Sequence, residues 1–223
     1  MRMKTPHRRL AIFDCDGTLV DGQGAVCAAM ERAFAAVGAA PPDRRAIRRI
    51  VGLSLPQAVA RLAPDRSPHD RTRIDAAYRE AFRAAREDGT LHEPLFDGVA
   101  ELLGRLRAKG WLLGVATGKS DRGLASCLAG HDLHGHFATL QTADRHPSKP
   151  NPAMLHAAIA EAGAAAADTV MIGDTVFDIA AARAAGVRAI GVAWGYHEAG
   201  ELLAAGAEGV AGDTAELERM LDE

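Results

Sequence analysis

The chain has 223 residues, which is enough for one full domain and a smaller inserted one. A net charge of −3, with 48% hydrophobic and 25% charged residues, gives no indication of binding to nucleic acid or to an anionic membrane. No apolar run approaches the roughly 20 residues of a membrane span. The basic start lacks the apolar segment of a secretory leader, and three cysteines without metal-type spacing favour the cytoplasm.

The first predicted element is a short buried strand, Leu10 to Phe13, which runs into Asp14-Cys15-Asp16-Gly17-Thr18. Successive strand residues point to opposite faces, so Asp14 and Asp16 leave the chain on the same side. Two acids this close favour a hard divalent cation between them. A solvated turn is the alternative, because Asp and Gly favour turns. The acids should raise the pKa of Cys15, so we expect this thiol to pack rather than react.

Between Asp21 and Thr90 the sequence predicts helices only. Apolar residues recur at helical spacing, and Pro41 and Pro42 are expected in the first turn of the second helix. The four predicted helices cover residues 25–37, 44–51, 57–62 and 68–87. We therefore expect an all-helical insert over residues 21–90, within a core formed by residues 1–20 and 91–223.

From residue 91 onwards strands alternate with helices, which indicates an α/β fold with a parallel sheet. The predicted strands cover residues 111–116, 137–141, 169–172, 187–192 and 209–211. The predicted helices cover residues 97–109, 120–129, 151–162, 176–185, 198–205 and 214–221.

Three of these later segments carry candidate functional residues. Thr117 and Gly118 follow a strand and could hold an anion at a helix N-terminus, although an ordinary turn explains this segment better when it is taken alone. Lys149 lies between prolines and could offset negative charge, although most lysines are on the surface. Asp174 ends another strand, and Asp178 lies four residues later, close enough to meet it. Helix capping would explain Asp174 alone.

The order and spacing of these four segments resemble those of the haloacid dehalogenase superfamily of phosphohydrolases. Within it, the chain is similar to the phosphoglycolate-phosphatase-like branch, subfamily IA. The resemblance implies a Rossmann-like sheet, with the first strand central, and a helical cap domain formed by the insert. It rests on Asp14 to Thr18, Thr117-Gly118, Lys149-Pro150 and Gly173-Asp174 with Asp178.

The resemblance also implies a set of ligands. A Mg²⁺ ion would be held by the side chains of Asp14 and Asp174 and by the main-chain carbonyl of Asp16, with Asp178 in support. Thr117, Gly118 and Lys149 would bind the transferring phosphoryl group, and Thr117 and Lys149 would thereby take part in catalysis.

We expect a Mg²⁺-dependent phosphatase that hydrolyses a small organic phosphate monoester. A carboxylate such as Asp14 can be phosphorylated covalently, and Asp16 can protonate the leaving oxygen. One alternative is a phosphotransferase of the phosphoglucomutase type, and another is a non-catalytic binding protein, which would usually have lost one of the acids. The expected partner is a small phosphorylated metabolite, and the expected assembly is a monomer or homodimer.

Two features of the insert depart from the branch. The loop over residues 50–55 offers Ser54 and main-chain groups but no central cation, which favours a small organic phosphate over a sugar bisphosphate or nucleotide. Most nearby arginines are expected to face solvent, with Arg48 or Arg49 as the candidate for substrate contact. Gly22, where members often carry Ser, is expected to loosen the connection into the insert.

Overall fold

The computed structural model describes residues 8–223, so the expectation about a leader in residues 1–7 lies outside the described residues. Within the described range, all the sheet strands are parallel and form one six-stranded sheet in the order β3-β2-β1-β4-β5-β6. β1 lies between β2 and β4, which confirms its predicted central position. The strands are β1 (Leu10–Phe13), β2 (Leu112–Thr117), β3 (Thr139–Thr142), β4 (Thr169–Gly173), β5 (Arg188–Val192) and β6 (Gly209–Ala211).

Four helices lie between β1 and residue 90, and this stretch, all of it described, contains no strand. They are α1 (Gln23–Ala35), α2 (Arg44–Arg48), α3 (Leu55–Leu62) and α4 (Pro68–Glu87). Their apolar faces pack into a cluster of their own, with Met30, Ile47 and Ile74 almost completely buried. The boundaries of a separate domain over residues 21–90 stay a prediction.

The predicted start of α2 at Arg44 is confirmed, but its predicted end and the expected place of the prolines in its first turn are wrong. The side chain of Asp43 accepts a hydrogen bond from the Arg45 N–H at 2.6 Å, so this acid caps the helix and both prolines lie before its first turn. The helix ends at Arg48 because the backbone after it forms tighter turns, with hydrogen bonds between residues three apart. Val51 N–H donates to the Arg48 carbonyl, three residues back.

Six further helices cover the two faces of the sheet. They are α5 (Val99–Ala108), α6 (Asp121–Gly130), α7 (Ala153–Ala162), α8 (Val176–Ala185), α9 (Ala199–Ala205) and α10 (Thr214–Asp222). The side chains of β1 alternate between these layers: Ala11 and Phe13 pack with α5, α6 and α10, and Leu10 and Ile12 pack with α7, α8 and α9. Both faces of the central strand are therefore buried, and its carboxyl end carries Asp14. No helix in the described part of the chain is long and apolar enough to cross a membrane.

Candidate active site

Three acids meet where β1 and β4 end. These strands are paired in register, Phe13 beside Ile172, so Asp14 and Asp174 leave the sheet at the same edge. Asp14 continues the pairing through its N–H, which donates to the Ile172 carbonyl at 2.9 Å. Carboxylate oxygens of Asp14, Asp174 and Asp178 all lie within 4.8 Å of one another, and the three residues are fully buried. The convergence predicted from the two strand ends is present.

Asp174 is enclosed by groups from distant segments. Its two oxygens accept hydrogen bonds from the Thr18 hydroxyl and the Tyr196 N–H, each at 2.9 Å. Two glycines press against it: a Cβ would lie 2.1 Å from Asp174 Oδ2 if added at Gly17 and 2.2 Å from Asp174 Cβ if added at Gly195. Gly17 also has a φ of +85°, which favours glycine. The sequence analysis missed Gly195, which lies in a loop without any motif.

Asp178 is held by hydrogen bonds to both of its carboxylate oxygens. One of its oxygens accepts from Lys149 Nζ at 2.6 Å, and the other accepts from the Thr175 hydroxyl at 2.6 Å and the Thr175 N–H at 3.0 Å. Thr175 is the N-cap residue of α8, and Asp178 completes its capping box. The alternative in which Asp174 caps this helix is therefore wrong.

Lys149 lies at the centre of the acids. It is fully buried, which rules out the surface lysine considered from the sequence. Its Nζ lies 2.9 Å from Asp14 Oδ2 and donates to the Ala116 carbonyl at 3.0 Å. Although burial opposes its charge, the carboxylates of Asp14 and Asp178 raise the pKa of Lys149 above its usual value. The side chain is thus held as a cation beside Asp14.

A single ammonium does not neutralise three buried carboxylates. Burial raises the pKa of Asp14 to about 7 against the attraction of Lys149. Burial and repulsion by Asp178 and Asp14 raise the pKa of Asp174 well above its usual range. Asp14 Oδ2 is buried and accepts no hydrogen bond in spite of its nearness to Lys149 Nζ. Hard oxygen donors with excess negative charge fit a divalent cation, which would relieve this repulsion.

Asp16 belongs to a second buried charge cluster. Its Oδ1 lies 3.0 Å from Lys119 Nζ, and Lys119 also donates to Glu93 Oε1 at 2.6 Å. Neither partner was predicted: Lys119 directly follows the Thr117-Gly118 segment, but Glu93 lies in a loop without a recognisable signal. Gly22 is part of this packing, because a Cβ there would lie 2.5 Å from Asp16 Oδ1. This glycine therefore makes room for the acid, and the predicted loosening at Gly22 stays a prediction.

The insert reaches the site through the loop at residues 52–54. A Cβ on Gly118 would lie 2.4 Å from the Leu53 carbonyl oxygen, so the loop backbone touches the predicted anion-binding glycine. The Ser54 N–H donates to the Ser148 hydroxyl at 2.7 Å, next to Lys149. Thr117 is buried at the end of β2, and its hydroxyl accepts from the Lys119 N–H at 3.2 Å.

A cavity of about 660 Å³ opens between the insert and this edge of the sheet. Asp16, Gly118 and Lys119 line it from the core. The predicted contacts of Arg48 or Arg49 with substrate are not supported, because neither residue lines the cavity. Arg48 donates to the Gln23 side chain, and Arg49 forms a two-pronged ion pair with Glu201 of α9.

The model of the haloacid dehalogenase-like hydrolase family matches residues 11–192. The chain belongs to this family. It is 38% identical over 200 residues to the probable phosphatase IndB of Dickeya dadantii, an alignment that covers 88% of this chain and 86% of that protein. It is 34% identical over 204 residues to the phosphoglycolate phosphatase of Chromobacterium violaceum, with coverage of 90% and 91%.

Solved structures of other proteins share the fold. A crystal structure of a hydrolase from Pseudomonas syringae superimposes with a TM-score of 0.85 at 26% identity, covering 96% of this chain and 98% of that one. These comparisons confirm the predicted family, the predicted α/β fold and the predicted enzyme class, a phosphatase of the haloacid dehalogenase type. Proteins of this type generally use a divalent metal, and the buried acids could bind one.

Proposed function

We propose that this protein is a Mg²⁺-dependent phosphatase that hydrolyses a small organic phosphate monoester through an aspartyl-phosphate on Asp14. The observation that supports this most is the convergence of Asp14, Asp174 and Lys149 in one buried cluster at the carboxyl edge of the sheet. The phosphoglycolate phosphatases among the relatives support a small phosphorylated metabolite as the substrate.

In the first step, a carboxylate oxygen of Asp14 bonds to the phosphorus while the bond from phosphorus to the ester oxygen breaks. Asp16 gives its proton to that oxygen, and the alcohol leaves. Burial raises the pKa of Asp16, which favours the protonated form needed here. Lys149, Thr117 and Gly118 bind the phosphoryl oxygens, with Lys149 offsetting their charge.

In the second step, Asp16 accepts a proton from water while that water attacks the phosphorus. The bond from phosphorus to Asp14 breaks, so inorganic phosphate leaves and both acids return to their starting states. A bound Mg²⁺, held by the side chains of Asp14 and Asp174 and by the main-chain carbonyl of Asp16, would neutralise charge on the acids and on the phosphoryl group.

The test is phosphate release from a panel of small phosphate esters, with and without added Mg²⁺. Asp14→Asn is expected to lower the rate by more than about 10⁴-fold, because the nucleophile is lost. Asp65→Asn makes the same chemical change at an exposed acid and should keep the wild-type rate. Turnover by Asp14→Asn at a rate near that of the wild type would contradict the covalent step.

Phosphate release, together with analysis of the sugar phosphates formed, separates the alternatives left open by the sequence. A phosphotransferase of the phosphoglucomutase type would convert one sugar phosphate into another, whereas a phosphatase releases free phosphate. A binding protein would release none, with or without metal. The chain retains all four acids, which favours an enzyme over a binding protein: Asp14, Asp16, Asp174 and Asp178.

A further inference from the structure

Helix α4 forms one wall of the cavity and presents three arginines to it. Two of them are paired with acids of the same helix. Arg79 donates to Asp75 at 2.6 Å, and Arg83 donates to Glu80 at 2.6 Å. Their charge is therefore already balanced within α4. The three arginines are Arg79, Arg83 and Arg86.

Arg86 differs from the other two. Within residues 8–223, no carboxylate lies within ion-pair distance of its guanidinium group, and its Nε is buried without a hydrogen-bond acceptor. Leaving a buried N–H donor unpaired is costly, and the cost is removed when a ligand supplies the acceptor. Because this donor belongs to a residue that lines the cavity, the missing acceptor fits an anionic group that enters the cavity.

Arg86 lies on the same wall as the residues that reach the acids. Phe82 precedes it by one helical turn, so the two side chains share a face of α4. Lys119 Nζ lies 6.0 Å from the centre of the Phe82 ring and 3.0 Å from Asp16 Oδ1. The wall therefore runs from Asp16 through Lys119 and Phe82 to Arg86.

The other cations at the cavity fit this role less well. Lys119 is already shared between Asp16 and Glu93. Arg122 of α6 also lines the cavity, but it is exposed, so water screens its charge. Arg86 is thus the cavity cation that combines a buried donor with an unbalanced charge.

We propose that Arg86 binds a second anionic group of the substrate and so selects phosphate esters that carry one. This inference rests on the proposed phosphatase function and adds a specificity residue to it. A guanidinium group suits a carboxylate or a phosphate, because it offers two parallel donors. The cavity of about 660 Å³ has room for this group at a distance from the scissile phosphate. Arg86 also supplies, from α4, a cation that the loop at residues 50–55 lacks.

The test compares matched esters that differ only in the second group. Two pairs carry a carboxylate or a hydroxymethyl group at different chain lengths: 2-phosphoglycolate with 2-hydroxyethyl phosphate, and 6-phosphogluconate with sorbitol 6-phosphate. A third pair, fructose 1,6-bisphosphate with fructose 6-phosphate, presents a second phosphate. The measured quantity is the ratio of kcat/KM within each pair, so the arms show whether a carboxylate or a phosphate is preferred.

In the wild type we expect a ratio of about 10- to 100-fold in favour of the doubly anionic ester in at least one pair. Arg86→Met should bring this ratio close to one, and Arg86→Lys should restore part of it. Arg83→Met removes an equal charge from the same helix and should keep the wild-type ratio, because Arg83 is committed to Glu80. If Arg86→Met does not fold, Arg86→Gln is measured in the same way.

The inference is overturned if every wild-type ratio is close to one, or if Arg83→Met lowers the ratio as much as Arg86→Met does. A different result tests the underlying function. If the wild type releases phosphate from none of these esters and none from p-nitrophenyl phosphate, the proposed function fails and this inference fails with it. Hydrolysis without selection overturns the role of Arg86 alone.

Discussion

Asp174 owes its position to two residues that have no side chain. The loop containing Gly195 passes so close that any Cβ there would occupy the space of the carboxylate. Gly17 packs against the same carboxylate. The geometry of this acid therefore depends on backbone packing as much as on its own hydrogen bonds.

Gly195→Ala should displace Asp174 and lower kcat/KM by about 100-fold, since a shift of about 1 Å in a reacting site has effects of this size. We also expect the Mg²⁺ concentration for half-maximal rate to rise. Gly200→Ala is the matched control, because a Cβ at that position meets no atom within 4 Å. Equal activity of both variants in a Mg²⁺ titration would argue against this account of Asp174.

Lys119 lies between Asp16 and Glu93, and its charge offsets the repulsion between these two acids. Lys119→Met leaves Asp16 and Glu93 buried and unpaired, so the free energy of unfolding should fall by about 3–5 kcal/mol. Adding Glu93→Gln should recover part of that loss. Urea denaturation of the single and double variants measures both effects, and Lys109→Met, at an exposed lysine, should change little. Additive losses in the double variant would show that Lys119 does not act by separating these acids.

At the residue scale, the sequence located the buried charged residues of the candidate site that follow a strand or lie in a motif, namely Asp14, Asp16, Lys149 and Asp174. It missed Glu93 and Gly195, whose importance arises from contacts between distant segments that leave no local pattern. It also missed Arg86, which differs from Arg83 in its buried Nε and in having no acidic partner within residues 8–223.

Among the elements, His197 connects α8 to Arg49, the residue that follows α2. Its Nδ1 accepts from the Val176 N–H at 3.3 Å, and its Nε2 donates to the Arg49 carbonyl at 3.2 Å, so the neutral Nε2–H tautomer satisfies both contacts. Burial and the charge of Arg49 lower the pKa of His197 below its usual 6.5, against the attraction of Glu201 and Asp178. Protonation would remove the acceptor for Val176.

The pKa of His197 is lower in the folded state than in the unfolded chain. Its contribution to the free energy of unfolding is therefore complete above pH 6.5 and is lost as the pH falls towards the lower folded pKa. We expect the free energy of unfolding to fall more steeply in the wild type than in His197→Gln, by a difference on the order of 1 kcal/mol. Urea denaturation at about pH 7.5 and about pH 5.5 measures it. Parallel behaviour of the two proteins would contradict the role of the ring.

At the element scale, every strand of the described sheet was predicted. Apolar runs mark most of these strands, because buried parallel strands are apolar on both faces. The ends of elements were less accurate. The sequence prediction extends α2 to Val51 because Gly52 breaks the helix, whereas the helix ends at Arg48, before the tight turns that lead to Gly52.

At the scale of the whole molecule, the three cysteines lie in two different hydrophobic clusters. All are free and buried: Cys27 lies in the insert, and Cys15 and Cys127 lie together in the core with their sulfurs 3.9 Å apart. The contact with Cys127 and burial raise the pKa of Cys15, in agreement with the packing role expected from the sequence.

A thiol reagent should therefore modify none of the three cysteines in the native protein. In increasing urea, Cys27 should react before the other two, because the insert encloses the smaller cluster. Mass spectrometry of the labelled peptides identifies which thiol has reacted. Simultaneous labelling would mean that insert and core unfold together.

The pairing of β1 has a consequence for how the chain is made. Leu10 lies beside Leu112 on one side and Thr169 on the other, so this strand leaves the ribosome long before either neighbour exists. Asp14 and Asp174 can meet only after β4 has been synthesised. The edge of the sheet that carries these acids is therefore assembled late in translation. A chain that stops short of β4 contains Asp14 but not Asp174, and its β1 has no partner on that side.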